Sequence, residues 1–507
     1  MTRRQCITLP AFAQAAARAQ PRRTRPNILF VMTDQQRGDC TGAAGNRAIR
    51  TPNMDRIAAE GVNFSNAFSS TPTCTPARTA LLTGLSPWHH GMLAMVRMAD
   101  RYPLEKPRAL RDGGYYTMAI GKNHFSPMRN GHGYHRMLLD EHCGCGNVHD
   151  PEMAAKRAAE DRSDYEAWFW STAPTLDPHA TLLGWNDYAA KSFALPEHLH
   201  PTVWTGQSAV RFIDQYKGDE PFFLKVSFIR PHSPYDPPSR FMKMYADAPL
   251  PEARAGKWAS RFEQPNSDRP DIWRGKLDPA VIRRSRQGYY GCITQVDEQI
   301  GQIFGALERR GWYDETLIVF TSDHGDMTGD QNLWRKSYAY QPSTHVPMMM
   351  RWPTGLVSAR RGQTMPQPVE LRDILPTFLD AASVPATRPL DGRSLLELVR
   401  RNGAGWRDYV DLEHGICYSL DNQWNALTDG KTKYIYHARH GEEQLFDLEK
   451  DPGELNDLAG DATETARLRL WRSRMVEHLS ERGAPYVVSG RLGTREKSPN
   501  TSPHFPA

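Results

Sequence analysis

Residues 26–34 read PNILFVMTD. Five consecutive apolar side chains, Ile28 to Met32, stand between a proline and an aspartate. The run is too short for a typical helix and lacks polar alternation, so it predicts a strand buried on both faces. Such a strand needs parallel neighbours and a layer of helices on each side. TLIVFTSDHGD (316–326) repeats the pattern, again ending in acids, and GYYTMAIGK (114–122) and PFFLKVSFIRPH (221–232) are further buried-strand candidates. Between them lie helical patterns. TPNMDRIAAEGVNF predicts a helix from about Met54 to Glu60, stopped by Gly61. Residues 289–311 carry apolar groups at helical spacing, with Gly311 as C-cap. The alternation predicts an α/β fold with a mostly parallel central sheet flanked by helices.

Residues 128–280 are rich in Pro, His, Trp and Asp and read as long insertions over that scaffold. After about Arg393 the pattern changes. YVDLEHG, WNALTDGKTKYIYHAR and EEQLFDLEKDPGE alternate at period two, which predicts a small C-terminal antiparallel sheet. SLLELVRR supplies a helix before it and 464–482 one after it. The expected organisation is a leader (1–25), a large α/β domain (26–393), a C-terminal sheet domain (394–490) and a disordered tail (491–507).

Composition excludes several classes. A net charge of +5 on 507 residues, with no basic run interleaved with aromatics, gives no footprint for nucleic acid. No apolar stretch approaches the roughly 18 residues of a membrane-spanning helix. The opening MTRRQ, the mildly apolar CITLPAFAQAAA and the small-residue Ala17-Arg18-Ala19 form an export-type leader, predicting a periplasmic or secreted protein. Seven cysteines are too few for a disulfide scaffold, and Cys143 and Cys145 flank a single glycine, where a bond would be strained.

In a parallel sheet Asp34 and Asp323 would meet at one edge, outside the carboxyl ends of the strands, where ligands bind in open α/β sheets. Gln35 and His324 follow them. Two carboxylates, an amide oxygen and an imidazole suit a divalent cation, calcium or magnesium. Two aspartates capping turns after strands give the same spacing. A third element is TPTCTPARTALLTG (71–84), where Cys74 sits in a turn-prone segment with Arg78 one helical turn on. A plain thiol matches a hard cation poorly, so Cys74 is easier to understand as the precursor of another group.

CTPARTALLTG resembles the signature of the type I sulfatases, with Cys74, Pro76, Arg78, Thr83 and Gly84 at the family's spacing. NILFVMTDQQ and FTSDHGD resemble the two metal strands, GKNH (121–124) the sulfate-pocket motif, RPHSPYDPP (230–238) the histidine loop, and LWRKSYAY the lysine segment. The likeness covers about 26–460 and implies the alkaline-phosphatase-like fold. It further implies that a formylglycine-generating enzyme oxidises Cys74 to the aldehyde formylglycine, whose hydrate attacks sulfur and later expels sulfate. By the same resemblance Asp34, Gln35, Asp323, His324 and modified Cys74 would hold calcium, with magnesium the lesser alternative. Arg78 would hold the formylglycine hydroxyl and the metal carboxylates. Lys122 and Lys336 would clamp the sulfate oxygens. His124 would assist the second hydroxyl, and His232 would protonate the leaving alcohol.

Many sulfatases have Asp-Asp and Asp-Asn where this chain has Asp34-Gln35 and Asp323-His324. The Gln and His forms occur in the phosphonate monoester hydrolases of the same superfamily, which makes phosphonate monoesters and phosphodiesters the rival substrates. The aromatic insertions DYEAWFWSTAP and LLGWNDYAAKSFALPEHLHP favour a sulfated saccharide. Residues 89–104 are expected to line the pocket, and Trp334 and Arg335, beside Lys336, to touch substrate.

Overall fold

The computed structural model describes residues 25–141, 162–178 and 180–506. Residues 1–24 of the leader and the Cys143/Cys145 pair lie outside them. In chain order the strands are β1 (Asn27–Asp34), β2 (Val62–Phe64), β3 (Ala67–Phe68), β4 (Tyr116–Gly121), β5 (Arg136–Leu138), β6 (Phe222–Pro231), β7 (Thr316–Ser322), β8 (Met348–Arg351), β9 (Gln363–Met365) and β10 (Val369–Glu370). β11 (Val410–His414), β12 (Trp424–Thr428), β13 (Thr432–His437), β14 (Glu442–Asp447), β15 (Val487–Val488) and β16 (Arg491–Leu492) follow.

Eight strands form one sheet in the order β5-β4-β6-β1-β7-β8-β2-β9. All its pairings are parallel except the two made by β8. β1 is central, paired with β6 on one side and β7 on the other, and every residue of it is buried. Its alternation feeds two cores. Leu29 and Val31 pack with the helices Pro201–Gln215 and Pro279–Arg309 and with helix α1 (Pro52–Ala59). Ile28, Phe30 and Met32 pack against helix α2 (Cys74–Thr83) and the helices 374–382 and 395–400. The fold is thus the expected α/β layering, with β11–β14 forming the antiparallel C-terminal sheet.

Three elements depart from the sequence reading. The helix expected over 289–311 starts at Pro279, capped by the Asp278 side chain on Ala280 N–H. Helix Leu395–Arg400 packs with Ile374 and Phe378 in the large domain's core, so the C-terminal body begins after it rather than at 394. The tail expected to be disordered is laid against the protein through residue 506. Leu93 N–H donates to Asn500 O (2.9 Å), Ser502 Oγ to Trp88 O (2.6 Å), and Arg495 Nη2 to Asn425 Oδ1 (2.6 Å). A segment with too few apolar groups for its own core can be held by hydrogen bonds to a surface already folded.

Lys106 is an anomaly within the second core. Its ammonium lies 4.4 Å from the Phe30 ring centroid and faces Phe223 and Phe378, and burial pushes its pKa down to about 7. The unfolded chain keeps that proton up to about pH 10.4. Between these values the unfolded state binds more protons, so stability from this group rises with pH across the window. Lys106→Met is therefore expected to raise Tm, with a larger gain near about pH 6 than near about pH 9, in thermal melts followed by circular dichroism.

Candidate active site

Parallel pairing of β1, β4, β6 and β7 brings the segments that follow them to one sheet edge. Asp34 ends β1, Lys122 follows β4, His232 follows β6, and Asp323 and His324 follow β7. Gly121, which delivers Lys122, has φ +89, and a Cβ there would sit 2.1 Å from Ser227 O, so only glycine fits. Gln35 takes a left-handed turn (φ 71) off β1, held by Tyr289 Oη donating to its carbonyl (2.6 Å). Cys74 is the first residue of α2, entered from extended Thr73, and Gly84 closes the helix in the left-handed conformation. Arg78 lies on the same helix face as Cys74, one turn on.

The side chains converge tightly. Cys74 Sγ lies 3.8 Å from both Asp34 oxygens, 3.4 Å from His324 Nε2 and 3.9 Å from Lys122 Nζ. Arg78 joins the two carboxylates, Nε donating to Asp323 Oδ2 (2.9 Å) and Nη2 to Asp34 Oδ2 (3.3 Å). Its Nη1 donates to Lys122 O (2.7 Å) and Ser227 Oγ (3.2 Å). Lys122 Nζ donates to Asp34 Oδ2 (2.5 Å). Lys336 Nζ donates to Gln35 Oε1 and His232 Nε2, each at 2.7 Å. The His232 Nδ1 proton goes to Ser233 O (2.8 Å) and that of His324 to Gly325 O (2.9 Å), which fixes both rings and turns each Nε2 inward.

These charges set one another. Burial raises the Asp34 carboxyl, but Lys122, then His232, Arg78 and His324, hold it well below the usual range. Burial, and then the Asp34 charge, push Asp323 up. Burial and Asp34 oppose a thiolate at Cys74, yet Lys122, Lys336 and His324 bring the thiol well down. Burial and then Lys336 hold His232 well below an ordinary histidine, neutral with Nε2 as acceptor.

Asp34, Cys74, Asp323 and His324 each offer one ligand atom, all within 4.8 Å of one another. Two buried carboxylates, one of which raises the other's proton affinity, beside an inward imidazole, are a donor set that a divalent cation neutralises. Gln35 contributes less directly, since Lys336 takes one lone pair of its oxygen and its Nε2 donates to Asp326 Oδ2 (2.5 Å).

Other expected residues fall elsewhere. Among the described residues, the His124 ring makes no hydrogen bond to the cluster, and its Nδ1 is buried without a partner. Trp334, expected to touch substrate, is 1% exposed, donates to Gly275 O (3.0 Å) and packs on Tyr188. It is a core residue, because its side chain turns inward while Lys336 reaches the site. Arg335 leans on the Tyr418 ring and Asp271 instead of the site. From 89–104, Val96 O accepts from Thr75 Oγ1 (2.8 Å), and neighbouring Met95 is exposed beside helix α2.

The structure adds three residues that the motifs do not single out. Asp326 accepts from both Gln35 and Tyr235. Glu141 accepts from the backbone N–H groups of Asn123 and His124, holding the loop after Lys122. Trp185, from the aromatic insertion, packs on His232 (centroids 4.4 Å) with its ring 4.9 Å from Lys122 Nζ.

The Sulfatase family model matches residues 26–384. The chain belongs to the sulfatase family, hydrolases of sulfuric esters. The C-terminal model of N-sulphoglucosamine sulphohydrolase matches 329–481, a span that contains the antiparallel sheet. The sulfatase is 36% identical to the arylsulfatase of Clostridium perfringens, over 92% of this chain and 97% of that one. It is 30% identical to the ulvan-active sulfatase of Formosa agariphila, over 86% and 78% respectively. Among solved structures, the phosphonate monoester hydrolase of Agrobacterium radiobacter superposes with TM-score 0.71 at 25% identity, covering 93% of this chain and 100% of that one.

Because Trp334 is buried and not at the site, Trp334→Ala is expected to cost about 3–5 kcal/mol of stability. The loss would be read as a lower Tm, with KM on the best substrate unchanged.

Proposed function

We propose that this protein hydrolyses a sulfate ester on a saccharide, releasing an alcohol and inorganic sulfate. The observation that carries the reading is the convergence of Cys74, at a helix N-terminus, with two carboxylates, two lysines and a neutral histidine at one buried sheet edge. Oxidised to formylglycine by a separate enzyme, Cys74 would supply the attacking hydroxyl. Calcium held by Asp34, Gln35, Asp323 and His324 would supply the positive charge that acidifies that hydroxyl.

The remaining work belongs to side chains already in place. Lys122 and Lys336 flank the nucleophile and bind sulfate oxygens, offsetting charge that builds as the ester bond breaks. Arg78 fixes both carboxylates and, through Lys122 O, the backbone that carries the first lysine. His232 Nε2 accepts a hydrogen bond from Lys336, so the pair holds a proton that can pass to the departing alcohol oxygen. Trp185 shields that pair and Lys122 on one side, lowering the local dielectric. The saccharide assignment is supported by the aromatic insertion that contributes Trp185 and by likeness to a relative named as ulvan-active. Gln35, His324 and the phosphonate hydrolase likeness favour a second activity on phosphonate monoesters.

Co-expressed with a formylglycine-generating enzyme, the wild type is expected to release sulfate from a panel of sulfated sugars, detected by ion chromatography, and Cys74→Ala to release none. Removing divalent metal by chelation should abolish turnover, and calcium should restore it. No sulfate release from protein shown by mass spectrometry to carry the aldehyde would turn the assignment to phosphonate esters. His232→Ala is expected to lower kcat about 10²–10⁴-fold on alkyl and sugar sulfates. The loss should be much smaller on 4-nitrophenyl sulfate, whose leaving group needs no proton.

A further inference from the structure

A cavity of about 250 Å³ opens where residues 261–274 and 338–340 meet the C-terminal sheet. Phe262, Trp273, Tyr338 and Trp424 supply aromatic surface to it, with Arg274 and Asn422 among the polar groups. Trp273 lies parallel to Tyr418, centroids 6.0 Å apart and planes 6° off, and the Arg274 guanidinium sits 4.9 Å from the Trp273 centroid.

Charge around the cavity is mostly paired. Arg261 binds Glu442 at 2.9 Å, and Asp421 accepts from Arg439 and His440, each at 2.9 Å. Arg274 differs. Among the described residues its guanidinium has no carboxylate partner, and its Nε is buried without a hydrogen bond. A guanidinium held against an indole and left without an acid can bind an anion through its paired donors. The adjoining aromatic rings suit the C–H face of a sugar.

The cavity is tied to the active site by one short stretch of backbone. Tyr338 follows Lys336 by two residues. Between them, Ser337 N–H donates to Pro72 O (3.0 Å), close before Cys74. Ser337 O accepts from Asn422 Nδ2 (3.1 Å) and Trp424 Nε1 (3.0 Å), both of which line the cavity.

We propose that this cavity is a second saccharide subsite, taking a sugar unit with an anionic substituent from the same chain whose sulfate ester is cleaved. The inference rests on the reading of the first site as a saccharide sulfatase. It makes the preferred substrate an oligosaccharide instead of a single sulfated sugar. The anionic substituent is a sulfate or a carboxylate, since Arg274 offers the same paired donors to either.

The test compares the sulfated sugar that the release panel selects as monosaccharide and as tetrasaccharide, the latter with either a uronate or a sulfate on the neighbouring unit. The wild type is expected to show a lower KM for the tetrasaccharide. Arg274→Ala and Trp273→Ala should each raise that KM about tenfold, the loss of about 1.4 kcal/mol of contact, while kcat/KM on the monosaccharide stays at the wild-type value. The uronate and sulfate arms identify which anion Arg274 binds. Calorimetry on Cys74→Ala gives a readout independent of turnover, and adding Arg274→Ala should weaken tetrasaccharide binding there by the same factor. A wild type indifferent to chain length, or variants that keep the length preference, would overturn the subsite while leaving the sulfatase reading intact. Failure of every sulfated substrate would overturn the sulfatase reading itself.

Discussion

Asp34 and Asp323 are fully buried at the ends of adjacent strands, and the Arg78 guanidinium is hydrogen-bonded to both. Everything at the site follows from making that arrangement tolerable. A single buried carboxylate is costly, and two repel. Arg78, Lys122 and His324 supply the opposing charge, and Arg78 is itself held by its helix and Lys122 O, and His324 by Gly325 O. The cluster is therefore rigid before any substrate arrives, which is the condition for electrostatic stabilisation of a reacting group.

The scaffold meets this demand with ordinary means. β1 is paired on both sides and packed on both faces, so the Asp34 carboxylate cannot retreat from its neighbours. The turn at Gln35 costs backbone energy for a residue with a side chain. Tyr289 on the long helix and the Asp323 carboxylate accepting from Gln35 N–H offset it. Trp185, Glu141 and Asp326 then close the site from three separate segments. None of them lies in a strand, and each acts by touching a residue that the strands deliver.

The sequence made some of this legible and hid the rest for identifiable reasons. Uninterrupted apolar runs ending in aspartate announce β1 and β7 because burial on both faces leaves no room for polar alternation. Cys74, Pro76, Arg78 and Gly84 are readable because they form one helix, where spacing and geometry are nearly the same thing. Trp334 is misleading because adjacency to Lys336 says nothing about which way a side chain turns in an irregular loop. Helix Pro201–Gln215 is obscured by Thr202, Thr205, Gly206 and Gln207 among its apolar positions, and packing against the long helix decides it. Asp326 lies inside FTSDHGD and Glu141 in no motif, and neither role is readable because both act through hydrogen bonds from other segments.

The position of β1 between β6 and β7 also imposes a schedule. A ribosome delivers β1 and the Cys74 segment long before either neighbouring strand exists. β7 begins roughly 240 residues after Cys74, on the order of 10–50 s of synthesis. During that interval neither β7 nor the groups that follow it, Asp323, His324 and Lys336, can close over the cysteine. In the finished protein Cys74 is 2% exposed. Any enzyme that had to reach this thiol would thus be given a timed opening by strand order alone.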